Sequence, residues 1–352
     1  MKVALIHNQF SKSGGMESYL LTLVQGFLDA GDEVHVHAYE IDKELAKGYA
    51  CTFHKTSLSF LPRRLRKYAF LYKYNRQFIR SDYDLSLSLT RTGCQDVAVI
   101  GGVHPQSVLT RRSQNWYRRV HDTIENRFEK YMFTSVPWVV AHSKSIQAEI
   151  ERYYLIPQEK VRVVYPPVNE KRFSRVSGEE RKQAKKKFKI NPEKFTLLFP
   201  SMSHQRKGLH ELLTAYATLD PEQHELIVVG SGEPKKSRLS DNVRFIGYVD
   251  DMASLYSAVD YVVLPSHYEP FGLVVAESLE SGTPVIVTAS VGAAELLEEE
   301  NGVILPDNHP QTLIKTIKGL RPKTILPGFA AKHGLKTGQH IDTLKQFARS
   351  MG

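Results

Sequence analysis

Two glutamates, Glu269 and Glu277, stand in the run Pro265-Ser266-His267-Tyr268-Glu269-Pro270-Phe271-Gly272-Leu273-Val274-Val275-Ala276-Glu277. An apolar strand, Tyr261 to Leu264, precedes the run, a Pro-Phe-Gly turn interrupts it, and a helix begins after the turn. Ionised carboxylates accept hydrogen bonds from paired hydroxyls, so one glutamate can face a sugar while the other reaches a ribose diol. Glu269 is expected in the loop and Glu277 about two helical turns later. The N–H groups exposed where a helix starts favour anions and hydroxyl oxygens. In an open α/β sheet, ligands bind beyond the carboxyl ends of the strands, where this segment falls.

The elements that position these residues are announced twice. Val3 to His7 is an apolar strand, followed by a loop ending Ser13-Gly14-Gly15. A helix from Glu17 to Ala30 places Tyr19, Leu20, Leu23, Val24, Phe27 and Leu28 near helical spacing, and Val34 to Ala38 is the next strand. The pattern restarts with strand Thr196 to Phe199, a loop ending Arg206-Lys207-Gly208, helix Leu209 to Leu219 and strand Leu226 to Val229, which leads into Gly230-Ser231-Gly232. Further strands are expected at Leu85 to Leu89, Val97 to Ile100, Trp138 to Ala141, Val243 to Ile246 and Val285 to Val287. Two such openings predict two doubly wound α/β domains. Neither spells the full Gly-x-Gly-x-x-Gly fingerprint, which argues against a dehydrogenase. The prolines of Val164-Tyr165-Pro166-Pro167-Val168-Asn169 mark the crossing between the halves. After it, Arg181 to Lys189 reads as a basic surface helix, and His340 to Arg349 as a last helix.

The bulk composition agrees. A chain of 352 residues with 41% hydrophobic content suits two soluble domains. No apolar run approaches the roughly 18–20 residues that span a bilayer, and the N-terminus reads as a strand rather than a leader. Two cysteines, Cys51 and Cys94, supply neither a disulfide framework nor a four-cysteine zinc site, which places the protein in a reducing cytosol. A net charge of +9 favours an anionic partner: a nucleotide, a nucleic acid or an acidic membrane surface.

The Glu-x7-Glu pattern, followed by Ser281-Gly282-Thr283-Pro284-Val285-Ile286, resembles the signature of retaining GT-B glycosyltransferases, the group 1 family that includes lipopolysaccharide-core glucosyltransferases. The resemblance extends over most of the chain. It takes in Ser13-Gly14-Gly15-Met16-Glu17, the run from Ala141-His142-Ser143 to Pro166-Pro167-Val168 (with Pro167 where glycine is usual), Arg206-Lys207-Gly208, and Asn242 to Val249. It implies the GT-B architecture, two Rossmann-like parallel-sheet domains facing across a cleft. Residues 1–167 would form the acceptor-side domain and 168–330 the nucleotide-sugar domain, with a last helix in 331–352 crossing back to the first.

Roles follow from the resemblance residue by residue. Glu277 would hold the nucleotide ribose, and Arg206 and Lys207 would neutralise the diphosphate. Backbone N–H groups at Phe271, Gly272 and Leu273 would hold the donor sugar together with Glu269. Gly15 would admit the diphosphate where a side chain would clash, Tyr248 would border the base, and His104 would lie near the sugar. The implied reaction moves a hexose or N-acetylhexosamine from a UDP-sugar to a glycan or lipid-linked acceptor, with retention and with no cofactor or metal. Arg206, Lys207 and the helix start would stabilise the departing diphosphate. Two departures stand out: Ser201 and Met202 occupy positions where many relatives carry a further arginine, and Pro105 directly follows His104.

Asp82-Tyr83-Asp84 spells Asp-x-Asp but precedes its strand, at the wrong edge of the sheet for a metal, and the histidines show no zinc spacing. The stretch Phe60 to Tyr74, with Arg111-Arg112 and Trp116 to Arg119, mixes bases with aromatics. It suits an anionic membrane or a lipid-linked acceptor better than a nucleic acid, and equally an amphipathic helix with snorkelling bases. A cytoplasmic enzyme peripheral to the plasma membrane is the expectation. A nucleotide-sugar epimerase of the same architecture, which needs no acceptor, and a non-enzymatic protein binding membrane or nucleic acid through its basic patch are the alternatives. The intact donor motif argues against the non-enzymatic alternative, and transfer of label to an acceptor separates the transferase from the epimerase.

Overall fold

The computed structural model describes residues 1–109, 115–230, 232, 240–326 and 328–349; Arg111, Arg112 and Ser231 lie outside them. The described chain divides into two units, Met1–Pro167 with Gly334–Gly352, and Val168–His333. In chain order the first carries strands β1 (Lys2–Ile6), β2 (Gln9–Phe10), β3 (Glu33–Ala38), β4 (Glu40–Ile41), β5 (Thr52–Lys55), β6 (Leu85–Ser88), β7 (Val97–Ile100), β8 (Trp138–Ala141) and β9 (Val161–Val163). Its helices are α1 (Gly15–Asp29), α2 (Lys43–Ala46), α3 (Arg63–Gln77), α4 (His104–Leu109), α5 (Trp116–Ser135) and α6 (Lys144–Tyr154). The second carries β10 (Phe195–Pro200), β11 (His224–Val229), β12 (Val243–Phe245), β13 (Tyr261–Leu264), β14 (Val285–Thr288) and β15 (Gly302–Leu305). Its helices are α7 (Gly178–Lys187), α8 (Leu209–Tyr216), α9 (Met252–Ala258), α10 (Leu273–Glu280), α11 (Pro310–Gly319) and α12 (Phe329–Lys332). The chain then returns to the first unit as α13 (Thr337–Arg349).

Both main sheets are parallel. The first runs β5-β3-β1-β6-β7-β8-β9 and the second β12-β11-β10-β13-β14-β15. Strands covered on both faces must be apolar throughout. In β1, Val3 and Leu5 join the core under α1 and α13, whereas Ala4 and Ile6 meet Phe70, Leu71 and Tyr74 of α3 on the other face. In the second unit, Leu197, Phe199, Leu226, Val228 and Val263 pack beneath Leu209, Leu212 and Tyr216 of α8 and Leu313 and Ile317 of α11. Strands β5, β9 and β15 lie at sheet edges and escape the sequence reading; β5 and β9 are short with mostly exposed or half-exposed residues, whereas β15 carries an apolar Val-Ile-Leu run.

The returning helix α13 is held by its periodicity and by one close approach. Ile341, Leu344 and Phe347 are buried, and a Cβ on Gly26 of α1 would lie 2.7 Å from Ile341 Cγ1, so only glycine lets the two helices meet this closely. Inside this contact Tyr19 Oη and His340 Nε2 are 2.8 Å apart, and the ring of His142 packs edge-on against Tyr19 at 4.7 Å. Lys345 and the N-terminal amine both pair with Asp32. Burial pulls the His142 and His340 imidazoles down from 6.5 to about 3, and the neighbouring His142 pushes His340 further in the same direction.

A histidine whose folded pKa is depressed takes up its proton more readily in the unfolded chain. The stability it carries is therefore complete above about 6.5 and is lost as pH falls toward 3. Urea denaturation from pH 7.5 down to pH 4.5 is expected to show a falling midpoint. Tyr19→Phe, which strips the buried His340 Nε2 of its partner, should cost about 1–3 kcal/mol at neutral pH. An unchanged midpoint in the variant would mean that this bond contributes nothing.

Candidate active site

In the second unit the strand order reverses between β10 and β13: β11 and β12 lie on one side of β10, and β13 to β15 on the other. In an open α/β sheet ligands bind at the carboxyl ends of the strands at such a reversal. Both functional runs of the sequence leave from there. Gly208, at φ +81°, begins α8, and a Cβ on it would lie 2.1 Å from the carbonyl oxygen of Pro265, so the loop after β10 touches the backbone of the loop after β13. The N–H of His267 donates to the carbonyl of Arg206 at 2.9 Å.

The side chains converge across this contact. Arg206 Nη1 donates to the carbonyl of Tyr268 at 2.7 Å and to Glu269 Oε2 at 3.0 Å. Lys207 Nζ lies 3.6 Å from the same oxygen and donates to the carbonyl of Pro200 at 3.3 Å. Glu269 is clamped through its backbone, its N–H donating to Ser290 and its carbonyl accepting from Gly292, and the carbonyl of Phe271 accepts from Ala293. Gly272, at φ +90°, turns the chain into α10, which begins at Leu273. Glu277 is the fifth residue of that helix, so one helical turn rather than the expected two separates it from the loop. Its Oε2 accepts from the hydroxyl of Tyr256 at 2.8 Å. Burial raises the Glu277 carboxyl, while the Tyr256 bond and the charges of Arg172 and Lys207 pull it back down. Tyr248 is 70% exposed, in the segment between β12 and α9. At the positions where relatives carry a further arginine, Ser201 is buried and Met202 is exposed.

The first unit holds a separate polar centre. Its sheet reverses between β1 and β6, and the segments after β6 and β7 supply Arg91 and His104. His104 is buried at the start of α4; its backbone N–H donates to Glu129 Oε2 at 2.8 Å, and its Nε2 lies 2.9 Å from Asp122 Oδ1. Arg91 donates to Glu129 Oε1 through Nε and Nη2 and to Glu125 Oε2 through Nη1 at 2.6 Å. Lys67 and Tyr68 of α3 also donate to Glu125. Burial alone would raise the Glu125 carboxyl; Arg91, Lys67 and Tyr68 more than reverse this and bring it to about 2. Burial lowers the His104 imidazole, with Asp122 opposing.

Sequence reasoning missed Asp122, Glu125 and Glu129. Their spacing places three acids on one face of α5, and all three are buried. An acidic stripe on the inward face of a helix was the available signal. The ligand atoms of His104, His121 and Asp122 lie within 4.8 Å of one another, an arrangement among the described residues that could hold a metal ion. His104 and Asp122 already satisfy each other there. Asp84, from the Asp-x-Asp run, accepts from the backbone N–H of Lys2 at the other end of the sheet. Glu17, in the first turn of α1, accepts from Gln9 at 2.9 Å, and His7 Nε2 lies 3.5 Å from it. Gly15 opens α1, and among the described residues nothing lies within 4 Å of a Cβ placed on it, so none of them demands a glycine there.

Residues 13–172 match the family described as Glycosyltransferase Family 4, and residues 180–321 match Glycosyl transferases group 1. A probable transglycosylase of Burkholderia thailandensis is 31% identical over 298 residues, 84% of this chain and 80% of the relative. The chain belongs to the group 1 glycosyltransferases. Among this family, the lipopolysaccharide glucosyltransferase WaaG of Escherichia coli is 26% identical over 59% of this chain and 57% of its own. A crystal structure of WaaG superposes with a TM-score of 0.74 at 19% identity, covering 99% of this chain and 94% of that one. HepE of Anabaena, in complex with UDP-glucose, superposes with a TM-score of 0.70 at 19% identity over 99% and 95% of the two chains. The glycosyltransferase thus has the GT-B fold, built from its two parallel-sheet α/β domains.

The loop contact at Gly208 is testable against a second left-handed glycine of this glycosyltransferase. Gly208→Ala combines a strained φ with a backbone collision, whereas Gly247, at φ +70°, has open space around it. Gly208→Ala should lower stability by more than the roughly 1–3 kcal/mol of backbone strain alone, and Gly247→Ala by no more than that. Equal melting temperatures for the two variants would remove the contact between the loops from the account.

Proposed function

We propose that this group 1 glycosyltransferase moves a hexose or N-acetylhexosamine from a UDP-sugar to a glycan or glycolipid acceptor in the synthesis of a cell-surface polysaccharide. The observation that carries the reading is the convergence of Arg206 and Lys207 on Glu269 at the point where the strand order reverses, with Glu277 one turn into the adjoining helix. Two cations held beside a helix start form a site for a diphosphate, and the Glu269 carboxylate beside them is an acceptor for sugar hydroxyls. Breakage of the anomeric bond puts negative charge on the leaving phosphate, and Arg206, Lys207 and the first N–H groups of α10 stabilise it there without a cofactor or metal. In this reading the reaction proceeds with retention, as the resemblance to retaining GT-B enzymes implies: the acceptor oxygen bonds to the anomeric carbon on the face from which the diphosphate departs, and the leaving phosphate takes the acceptor proton. The WaaG relative's role as a lipopolysaccharide glucosyltransferase, and the UDP-glucose held by HepE, support the donor and acceptor classes.

The acceptor side of the proposal rests on the first unit. Phe60, Leu65 and Tyr72 are 52–77% exposed beside the exposed bases Arg63, Arg64 and Lys73, and Trp116, Tyr117 and Val120 open α5 with Arg118 and Arg119 among them. Within the same run Arg66 and Lys67 are half-buried, their charges paired with Glu40 and Glu125. Among the described residues no helix is long and apolar enough to cross a membrane. An exposed mixture of aromatics and bases fits a peripheral contact with an anionic bilayer that carries the acceptor.

Melting curves with UDP, GDP, ADP and their common sugars test the donor. A ligand at about a hundred times its Kd stabilises by roughly 2.7 kcal/mol. Stabilisation by uridine nucleotides, absent in Glu277→Ala, is expected; indifference to every nucleotide in folded protein would end the transferase reading. For the surface, co-sedimentation with vesicles containing anionic lipid is expected at low salt and lost at high salt. Equal sedimentation with neutral vesicles would exclude an electrostatic contact.

A further inference from the structure

Tyr256 is fully buried, yet it ends in a hydroxyl that must be satisfied. That hydroxyl donates to Glu277 Oε2 at 2.8 Å, from α9 to the neighbouring α10. Its own position is fixed twice: the Thr283 hydroxyl donates to the Tyr256 carbonyl at 2.8 Å, and the ring of Phe173 packs against the Tyr256 ring with centroids 5.9 Å apart. Among the described residues no donor is placed on the other carboxylate oxygen of Glu277. The carboxylate is thus held by one oxygen from inside the fold and leaves the other for a ligand.

We propose that Tyr256 is a positioning residue for donor binding: by holding Glu277 Oε2 it fixes the carboxylate so that its second oxygen is presented to the ribose diol of the nucleotide. The inference rests on the reading of Glu277 as the ribose contact. A phenylalanine would fill the same core space, so the hydroxyl serves the carboxylate rather than the packing. Burial, and after it the adjoining Glu277 charge, raise the Tyr256 phenol well above its ordinary range, so the group stays a donor. The charged groups facing Glu277 are Arg172, from the segment before α7, and Lys207, from the loop after β10; with Tyr256 they oppose the burial that favours the neutral acid. Without the phenol the carboxyl holds its proton to higher pH, and an acid facing the diol is a poorer acceptor for two hydroxyls.

The test compares UDP binding, by calorimetry between pH 5 and pH 8, for wild type, Tyr256→Phe, Glu277→Gln and the double variant, with melting temperatures as the control for folding. Tyr256→Phe should weaken UDP about tenfold. Its acid limb should lie at higher pH than that of wild type, and KM for the donor sugar should rise with kcat nearly unchanged. In Glu277→Gln the acid limb should vanish, and adding Tyr256→Phe should then change affinity less than twofold. Full UDP affinity in Tyr256→Phe at every pH, beside a weakened Glu277→Gln, would overturn the role of Tyr256 alone. Wild-type affinity in Glu277→Gln would overturn the ribose contact on which it rests. A loss from Tyr256→Phe that is the same size in the Glu277→Gln background would show that the phenol acts on the fold and not through the carboxylate.

Discussion

The pairing of β10 with β13, which sets Leu197 beside Tyr261 and Leu198 beside Val262, is the constraint on which the candidate site depends. These strands are more than sixty residues apart in the chain, and each continues into a loop that carries charge. Parallel pairing brings both loops out at the same edge of the sheet. The backbone contact between Gly208 and Pro265 then closes the distance until one carboxylate oxygen of Glu269 meets both Arg206 and Lys207. Neither the cations nor the acid could be held like this on one flexible loop, because the entropy of ordering three long side chains would outweigh their attraction in water.

A similar logic governs the polar centre of the first unit, with deeper burial. Glu125 and Glu129 are each no more than 2% exposed, and a buried carboxylate is costly unless it is paired and fully hydrogen-bonded. Arg91 bridges the two, Lys67 and Tyr68 complete Glu125, and Tyr154 and the N–H of His104 complete Glu129. The basic helix α3 is therefore two-sided. Part of its charge neutralises the interior, and the remainder stays at the surface with exposed leucine and tyrosine. That division explains why a run that reads uniformly basic has two physical uses.

Much of this was legible in one dimension. Apolar strands, helix periodicity and the two strand-loop-helix openings are short-range patterns, and they announced two doubly wound domains without reference to distant residues. The cations Arg206 and Lys207 and the Glu-x7-Glu run were also legible, because residue type, a preceding strand and a glycine at a helix start lie within a dozen positions of one another. The short strands β5 and β9 were not, since exposed and half-exposed residues leave them no clear apolar run, and the Val-Ile-Leu run of β15 was not read as a strand either. Nor were the acids of α5: a helical stripe of Asp122, Glu125 and Glu129 looks like a solvated face until Arg91 and Lys67 arrive from elsewhere in the chain.

The sequence by itself determined the longer apolar strands and the periodic helices, the fold class and which residue types were available for chemistry, because these follow from local periodicity and backbone preference. Only the tertiary structure decided which charges meet. Glu269 takes Arg206 and Lys207, Glu277 takes Tyr256, and His104 takes Asp122 and Glu129, each pair brought together by strand order or helix packing across long stretches of chain. An ion pair or hydrogen bond acts over a few ångströms, and no local pattern in the chain specifies which distant residue will lie within that reach.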